Sequence, residues 1–394
     1  MKPRILPDAQ LLELARTHGT PLYVYSARLV RERFAELAGF DRVRYAMKAN
    51  SHAGILALLR GLGAHVDAVS AGELERARAA GFTAGETSFT ADLFDRRALA
   101  RLAEWKVPVN LGSPFQIEQY AELVRAHDAP RGVTLRVNPG FGHGHARKVN
   151  TGGETSKHGI WHEQLAESVA RARRAGLAVS GLHVHIGSGA DFEHLARVAG
   201  ALEELAHLSS AAGAELETLS AGGGLPVPYR ADEPRLDVAR FTALWRATRD
   251  RLARALGRAL ALEVEPGRFL VAECGLLLAE VRGTKQSGRF EYVFVDAGFH
   301  NLVRPALYGA FHQISAVGHR ESEPTTPKVV AGPLCESGDV FTVDALGHLL
   351  PQSLPALGVG ELVCIHDAGA YGASMASGYN SQPPAAEVLV ERVD

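Results

Sequence analysis

Cysteine is scarce in this chain: three among 394 residues, Cys274, Cys335 and Cys364, far apart and never in a CxxC pair. That spacing excludes a disulfide framework and a zinc knuckle. An excess of charge of either sign is lacking too, with 42 Lys and Arg against 44 Asp and Glu and a formal net charge of −2. Without a basic excess there is no surface for nucleic acid or an anionic membrane. No apolar run approaches the length of a membrane span, and the opening MKPRILPDAQLLELARTHG has no export-type apolar core. Internal repeats and low-complexity linkers are missing as well. What remains is an ordinary globular composition, 46% hydrophobic and 22% charged. The length suggests two or three domains, and the expected compartment is a reducing cytoplasm.

From about residue 43 short β-rich runs alternate with amphipathic stretches. The runs are VRYAM, AHVDAVS, TSFTA, VPVNLGS, VTLRVNP, SGLHVHIGS, LETLSAGGG and LALEVEPGR. Between them GELERARAAG, LFDRRALARLAEW, IEQYAELVRAH and HEQLAESVARARRAG carry apolar residues at helical spacing. Eight such repeats predict a (β/α)8 barrel over residues 27–269. Near residue 270 the helical period fades, and GLLLAEVRGTKQ, RFEYVFVDAG, TPKVVAGP, SGDVFTVDAL and GELVCIHDAG predict strands. Residues 270–394, with 1–26 contributing PLYVYS as an extra strand, are therefore expected to form a mostly-β, sandwich- or barrel-like domain.

Active sites of such barrels collect at the C-terminal strand ends. The polar residues keep that phase: Lys48 after strand one, Asp67 and Ser70 at two, Asn138 at five, His185 and Ser188 at six. Gly222, Gly223 and Gly224 follow strand seven, and Glu265, Gly267 and Arg268 follow strand eight. The glycine run fits a flexible turn or a phosphate cradle, and its place after strand seven selects the cradle. GFGHGH at 140–145 lacks the spacing of a dinucleotide fingerprint, and the histidines of GHGHARK read as loop residues in a lid. His183 and His185 share one strand face, the geometry of some metal hydrolases, but the other strand ends supply no further histidine. One packed histidine and one stacked on a planar group is the preferred reading. Cys335, in the polar turn GPLCESGD, is placed to handle a proton instead of packing. A cradle, a desolvated lysine, a carboxylate and a stacking histidine together suggest pyridoxal 5'-phosphate. Glu265 would keep its ring nitrogen protonated, which favours decarboxylation.

YAMKAN, DAVSAGELERA, HVHIGSG, SAGGGL, EPGRFL, RPALYGAFH, GPLCESGD and GAYGASMASGYN, in that order, resemble the fold-type III pyridoxal-phosphate decarboxylases. The similarity runs from about residue 20 to AEVLV. The resemblance implies an alanine-racemase-like barrel and decarboxylation of meso-2,6-diaminopimelate to L-lysine. It implies that Lys48 binds the cofactor aldehyde and that His185 stacks on its ring. Ser188, the glycines Gly222–Gly224, Gly267, Arg268 and Tyr371 would hold the phosphate, with Glu265 at the ring nitrogen. Arg268, Arg304, Tyr308 and Tyr371 would receive the distal carboxylate, Glu336 the distal amine, and Cys335 would be the general acid. The CESGD turn would reach a neighbouring subunit's site, hence a homodimer with shared active sites. No metal is expected. Two positions depart from the pattern. Gly189 stands where many relatives carry glutamine, a glycine shared with ornithine decarboxylases, and Gln382 where relatives usually carry arginine. Decarboxylation of ornithine or carboxynorspermidine stays open as an alternative, as do a non-catalytic relative and a metal hydrolase.

Overall fold

The computed structural model describes residues 4–142, 151–189, 191–320 and 322–391; the lid histidines of GHGHARK lie outside them. The chain divides into two compact units: residues 34–226 with 236–267, and residues 1–33 with 227–235 and 268–394.

The strands, in chain order, are β1 Leu22–Ser26, β2 Arg42–Ala46, β3 His65–Ala68, β4 Thr87–Ala91, β5 Val109–Leu111, β6 Gly132–Asn138, β7 Ile160–Trp161, β8 Ala178–Val184, β9 Thr218–Ser220 and β10 Ala261–Val264. They continue as β11 Gly275–Ser287, β12 Phe290–Val295, β13 Ile314–Ala316, β14 Thr326–Ala331, β15 Gln352–Leu354, β16 Leu362–Ile365 and β17 Ala386–Val390.

In the first unit β2, β3, β4, β5, β6, β8, β9 and β10 pair in parallel, and β5–β6 and β10–β2 pairing closes the ring. All eight expected barrel strands are present; β7 adds a two-residue extension beside β6. The strands are almost wholly buried because a parallel barrel is covered on both faces, so even Arg44, Asp67, Arg136 and Glu263 on them are buried. Aspartates start several helices by accepting a backbone N–H. Asp95 takes Ala98 N–H at 2.7 Å, Asp191 takes His194 N–H at 2.9 Å, and Asp237 takes Arg240 N–H at 2.9 Å. Ser70 does the same for the helix Ala71–Ala79, while Glu73 reaches back to Val69 N–H. Ser70 therefore serves as a helix cap instead of a site residue. Asn138 likewise stitches backbone, bonding Gly140 and Gly153.

In the second unit β11 is the central strand, pairing with β1, β12 and β16. PLYVYS forms β1, which runs antiparallel to β11 and parallel to β17. Residues 27–33 and 227–235, expected in the barrel, cluster with this unit. Ile5, Leu6, Leu11, Leu22, Val24, Leu276, Leu278, Val317, Leu362 and Cys364 form one core. Burial pushes the Cys364 thiol up to about 12, so it packs as a small hydrophobe. The strand expected over SGDVFTVDAL is corrected: only the isolated bridges Ala331–Val340 and Val343–Leu349 form there. The Asp339 carboxylate accepts Phe299 N–H at 2.6 Å and Leu334 N–H at 2.8 Å, pulling the segment into a turn.

One buried ion pair ties β10 to β2. Glu263 accepts from Arg44 Nε at 2.7 Å and Nη2 at 2.9 Å and from Arg42 Nη1 at 2.7 Å. Burial opposes the charge on Glu263, but the two arginines outweigh it and hold the carboxyl below its usual pKa. Glu263→Gln would leave Arg44 buried without its counter-charge, which costs about 3–5 kcal/mol. A lower barrel unfolding midpoint in urea is the expected result.

Candidate active site

Lys48 occupies a single 3-10 turn, Met47–Ala49, directly after β2. Met47 and Ala49 are buried while Lys48 between them is exposed, so the desolvated lysine expected from sequence is corrected. Its ammonium still acts electrostatically on Asp67, Glu73 and His185.

Glu265 follows β10 and is 8% exposed. Burial opposes its charge, yet His183 and Ser220 win and draw the carboxyl down to about 2. His183 Nε2 stands 2.9 Å from Oε2, and Ser220 Oγ donates to Oε1 at 2.9 Å. The site thus holds a fixed anion, able to accept from a cationic N–H donor. Asp67, on β3, accepts from Thr90 Oγ1 at 2.6 Å and Ser88 Oγ at 2.9 Å. Burial and the Glu265 charge push it up to about 7.

His185 is planar and neutral. Burial, then Arg136 and Lys48, lower its pKa well below the usual value. Its Nδ1 accepts the Gly223 N–H at 3.3 Å, which leaves the proton on Nε2. The three glycines are there because the strand ends approach too closely for side chains. A Cβ on Gly222 would meet Val184 O at 2.3 Å, one on Gly223 would meet Glu265 O at 2.4 Å, and one on Gly224 would meet Gly187 O at 2.2 Å. Gly222 and Gly224 also take positive φ, 61° and 91°. Gly224 O accepts the Gly189 N–H at 3.0 Å, and the half-buried Ser188 sits on the first of these loops, next to Gly189. Gly267 packs against Ala46 and Ala49, where a Cβ would come within 3.3 Å of each alanine Cβ. Side-chain-free backbone at Gly222–Gly224 and Gly267 thus lies beside a flat imidazole and an ionised carboxylate. A phosphorylated pyridine fits that donor set.

The second unit holds a separate cluster. Arg268 Nη1 donates to Tyr229 Oη at 2.7 Å, and its guanidinium lies 5.0 Å from the Tyr371 ring centre. Arg304, 2% exposed, has its guanidinium 4.5 Å from the Tyr229 ring centre. Burial lowers the Arg304 pKa; Tyr229 opposes the shift and Arg268 adds to it. Burial also opposes the charge on Arg268, but Tyr229 and Tyr371 outweigh it, with Tyr308 contributing. Tyr371 has a φ of 57°, uncommon for a bulky residue. Arg268 Nε is buried with no partner among the described residues. Such a pair of guanidiniums suits an incoming carboxylate or phosphate.

Cys335 and Glu336 lie on an exposed turn, and the Cys335 N–H donates to Asn380 Oδ1 at 2.9 Å. Neither has a hydrogen bond or ion pair to the arginines. Sequence reasoning missed Tyr229 and His312, which both touch Arg304. It also missed Arg136, whose charge inside the apolar VTLRVNP was the available signal. Among the described residues no group of three or more His, Cys, Asp and Glu is arranged for a metal ion, and His183 is the neighbour of Glu265 instead.

Fold and site together define a barrel enzyme built for a phosphorylated, lysine-bound cofactor. Residues 27–272 match the pyridoxal binding domain of the pyridoxal-dependent decarboxylases. The diaminopimelate decarboxylase of Streptomyces coelicolor is 49% identical over 99% of this chain and 88% of that protein. A crystal structure of diaminopimelate decarboxylase superposes with a TM-score of 0.92 at 47% identity, covering 98% of this chain and 91% of the other. The Helicobacter pylori enzyme complexed with L-lysine gives 0.87 at 30% identity, covering 97% and 94%. The chain belongs to the pyridoxal-dependent decarboxylases, in their diaminopimelate decarboxylase branch.

Asp67 supplies a test of the electrostatics. Its pKa is raised from 3.8 to about 7, so the unfolded chain ionises first and the fold loses stability as pH climbs through that window. In cofactor-free protein, Asp67→Asn is expected to gain thermal stability over wild type between pH 4 and 7, with the difference fading toward pH 4. A constant difference across that range would contradict the assignment.

Proposed function

We propose that the protein decarboxylates meso-2,6-diaminopimelate to L-lysine and CO2 with pyridoxal 5'-phosphate. The observation that carries this reading is the ionised Glu265 held by His183 and Ser220, beside the closely packed glycine turn Gly222–Gly224. Bound there, the cofactor supplies an aldehyde for the substrate amine and a ring that takes up the electrons left when CO2 departs.

The chain's own residues do the rest. The Lys48 amine would hold the cofactor aldehyde. Neutral His185 would offer a flat, uncharged surface to its ring. Gly222, Gly223, Gly224, Ser188, Gly267, Arg268 and Tyr371 would hold the phosphate. Glu265, kept anionic by His183 and Ser220, would accept a hydrogen bond from a protonated ring nitrogen. Arg268 and Arg304, with Tyr308 and Tyr371, receive the carboxylate at the far end of the substrate, and Glu336 its amine. The Cys335 thiol returns one proton to the carbon that loses CO2. Cys335 and Glu336 are assigned to a neighbouring subunit's site in a homodimer, which accounts for their exposure here. Among the described residues no helix is long and apolar enough to cross a membrane; cytoplasmic residence is part of the proposal.

Ornithine carries no far carboxylate, so it would leave Arg304 unpaired. Sites built around such a bond reject the lacking analogue by about 10⁴-fold. Wild-type protein should prefer meso-diaminopimelate over ornithine and lysine by that order in kcat/KM. Arg304→Ala should cut the preference by about a hundredfold or more, measured as CO2 release. An unchanged preference would refute the carboxylate assignment.

A further inference from the structure

Arg304 is held by an unusual partner. Its Nη1 lies 2.7 Å from His312 Nε2. A guanidinium stays protonated and has no acceptor, so Nε2 must offer its lone pair. The other ring nitrogen, Nδ1, lies 2.7 Å from His366 O and must carry the proton to donate there. The imidazole is therefore neutral and locked in the Nδ1–H tautomer.

The ring has little freedom to leave this pose. His312 is 0% exposed, and its own carbonyl accepts from Gln352 Nε2 at 2.8 Å. His366 is fixed in turn, with Nε2 2.8 Å from Ser315 Oγ and its N–H donating to Gln313 O at 2.9 Å. The Tyr229 ring meets His312 edge-on at 5.4 Å while its face carries Arg304.

An aspartate or glutamate in place of His312 would also aim the guanidinium, but it would neutralise it and compete with an incoming anion. A neutral acceptor aims the fork and leaves its positive charge available. We propose that His312 is a positioning residue that sets substrate selectivity by orienting Arg304 through Nε2 without discharging it. The proposal rests on Arg304 being the receptor for the distal carboxylate.

Three variants test it. His312→Leu removes the acceptor. KM for meso-diaminopimelate should rise about tenfold or more with kcat within about threefold, and the preference over ornithine should fall. His312→Gln places an amide oxygen near the former Nε2 and should bring KM back to within about threefold of wild type. If His312→Leu does not fold, His312→Asn replaces it, keeping a donor toward His366 O while losing the acceptor toward Arg304. Wild-type protein labelled with 15N-histidine should show a neutral Nδ1–H imidazole between pH 6 and 8 that is missing in His312→Gln. An unchanged KM and preference in His312→Leu, a parallel loss of kcat and melting temperature in all variants, or absence of that tautomer would overturn the proposal. Arg304→Ala separates the two levels. If it loses the preference while His312→Leu keeps it, only the present inference fails; if Arg304→Ala also keeps it, the carboxylate reading itself fails.

Discussion

A carboxylate kept ionised against the pull of burial organises the barrel's C-terminal end. Glu265 is buried, and an isolated carboxylate so placed would take up a proton. The contact with His183 and the hydroxyl of Ser220 reverses that outcome and brings it to about 2. The cost passes to its neighbour: the same charge helps to lift Asp67 to about 7. Two buried carboxylates thus lie in opposite states, one anionic and one able to hold a proton, separated by environment alone. Neutral His185 follows from the same crowding, since burial and the nearby cations Arg136 and Lys48 deny it a proton.

The second unit solves the inverse problem. Arg268 and Arg304 are buried cations whose partners are tyrosine rings, a hydroxyl and an imidazole. These groups orient and partly solvate the guanidiniums without cancelling them. Anion recognition benefits, because a carboxylate arriving from water finds planar donors already aimed and does not displace an internal one.

Much of the barrel was legible because its signals are local. Apolar runs mark β2 to β10, and the phase of polar residues at their ends marked Lys48, His185, Gly222–Gly224 and Glu265. The same phase over-read Ser70 and Asn138, whose side chains bond nearby backbone, since a cap and a site residue share chemistry and position. It also took Lys48 for a buried amine, although the residue is exposed in the turn Met47–Ala49. The second unit was read less well. Strands β13, β15 and β17 are short, and SGDVFTVDAL has strand composition but is captured by the Asp339 carboxylate. Tyr229, His312 and His366 acquire their roles through contacts across 39, 8 and 54 residues, as in Arg268–Tyr229, Arg304–His312 and His312–His366. No periodicity encodes such partnerships.

The measurement that bears most directly on the whole account is the attachment point of the cofactor. Purified protein loaded with pyridoxal phosphate should be yellow, bleach on addition of borohydride, and after digestion carry one phosphopyridoxyl group on the peptide containing Lys48. A reduced adduct on another lysine, or none at all in loaded protein, would contradict it.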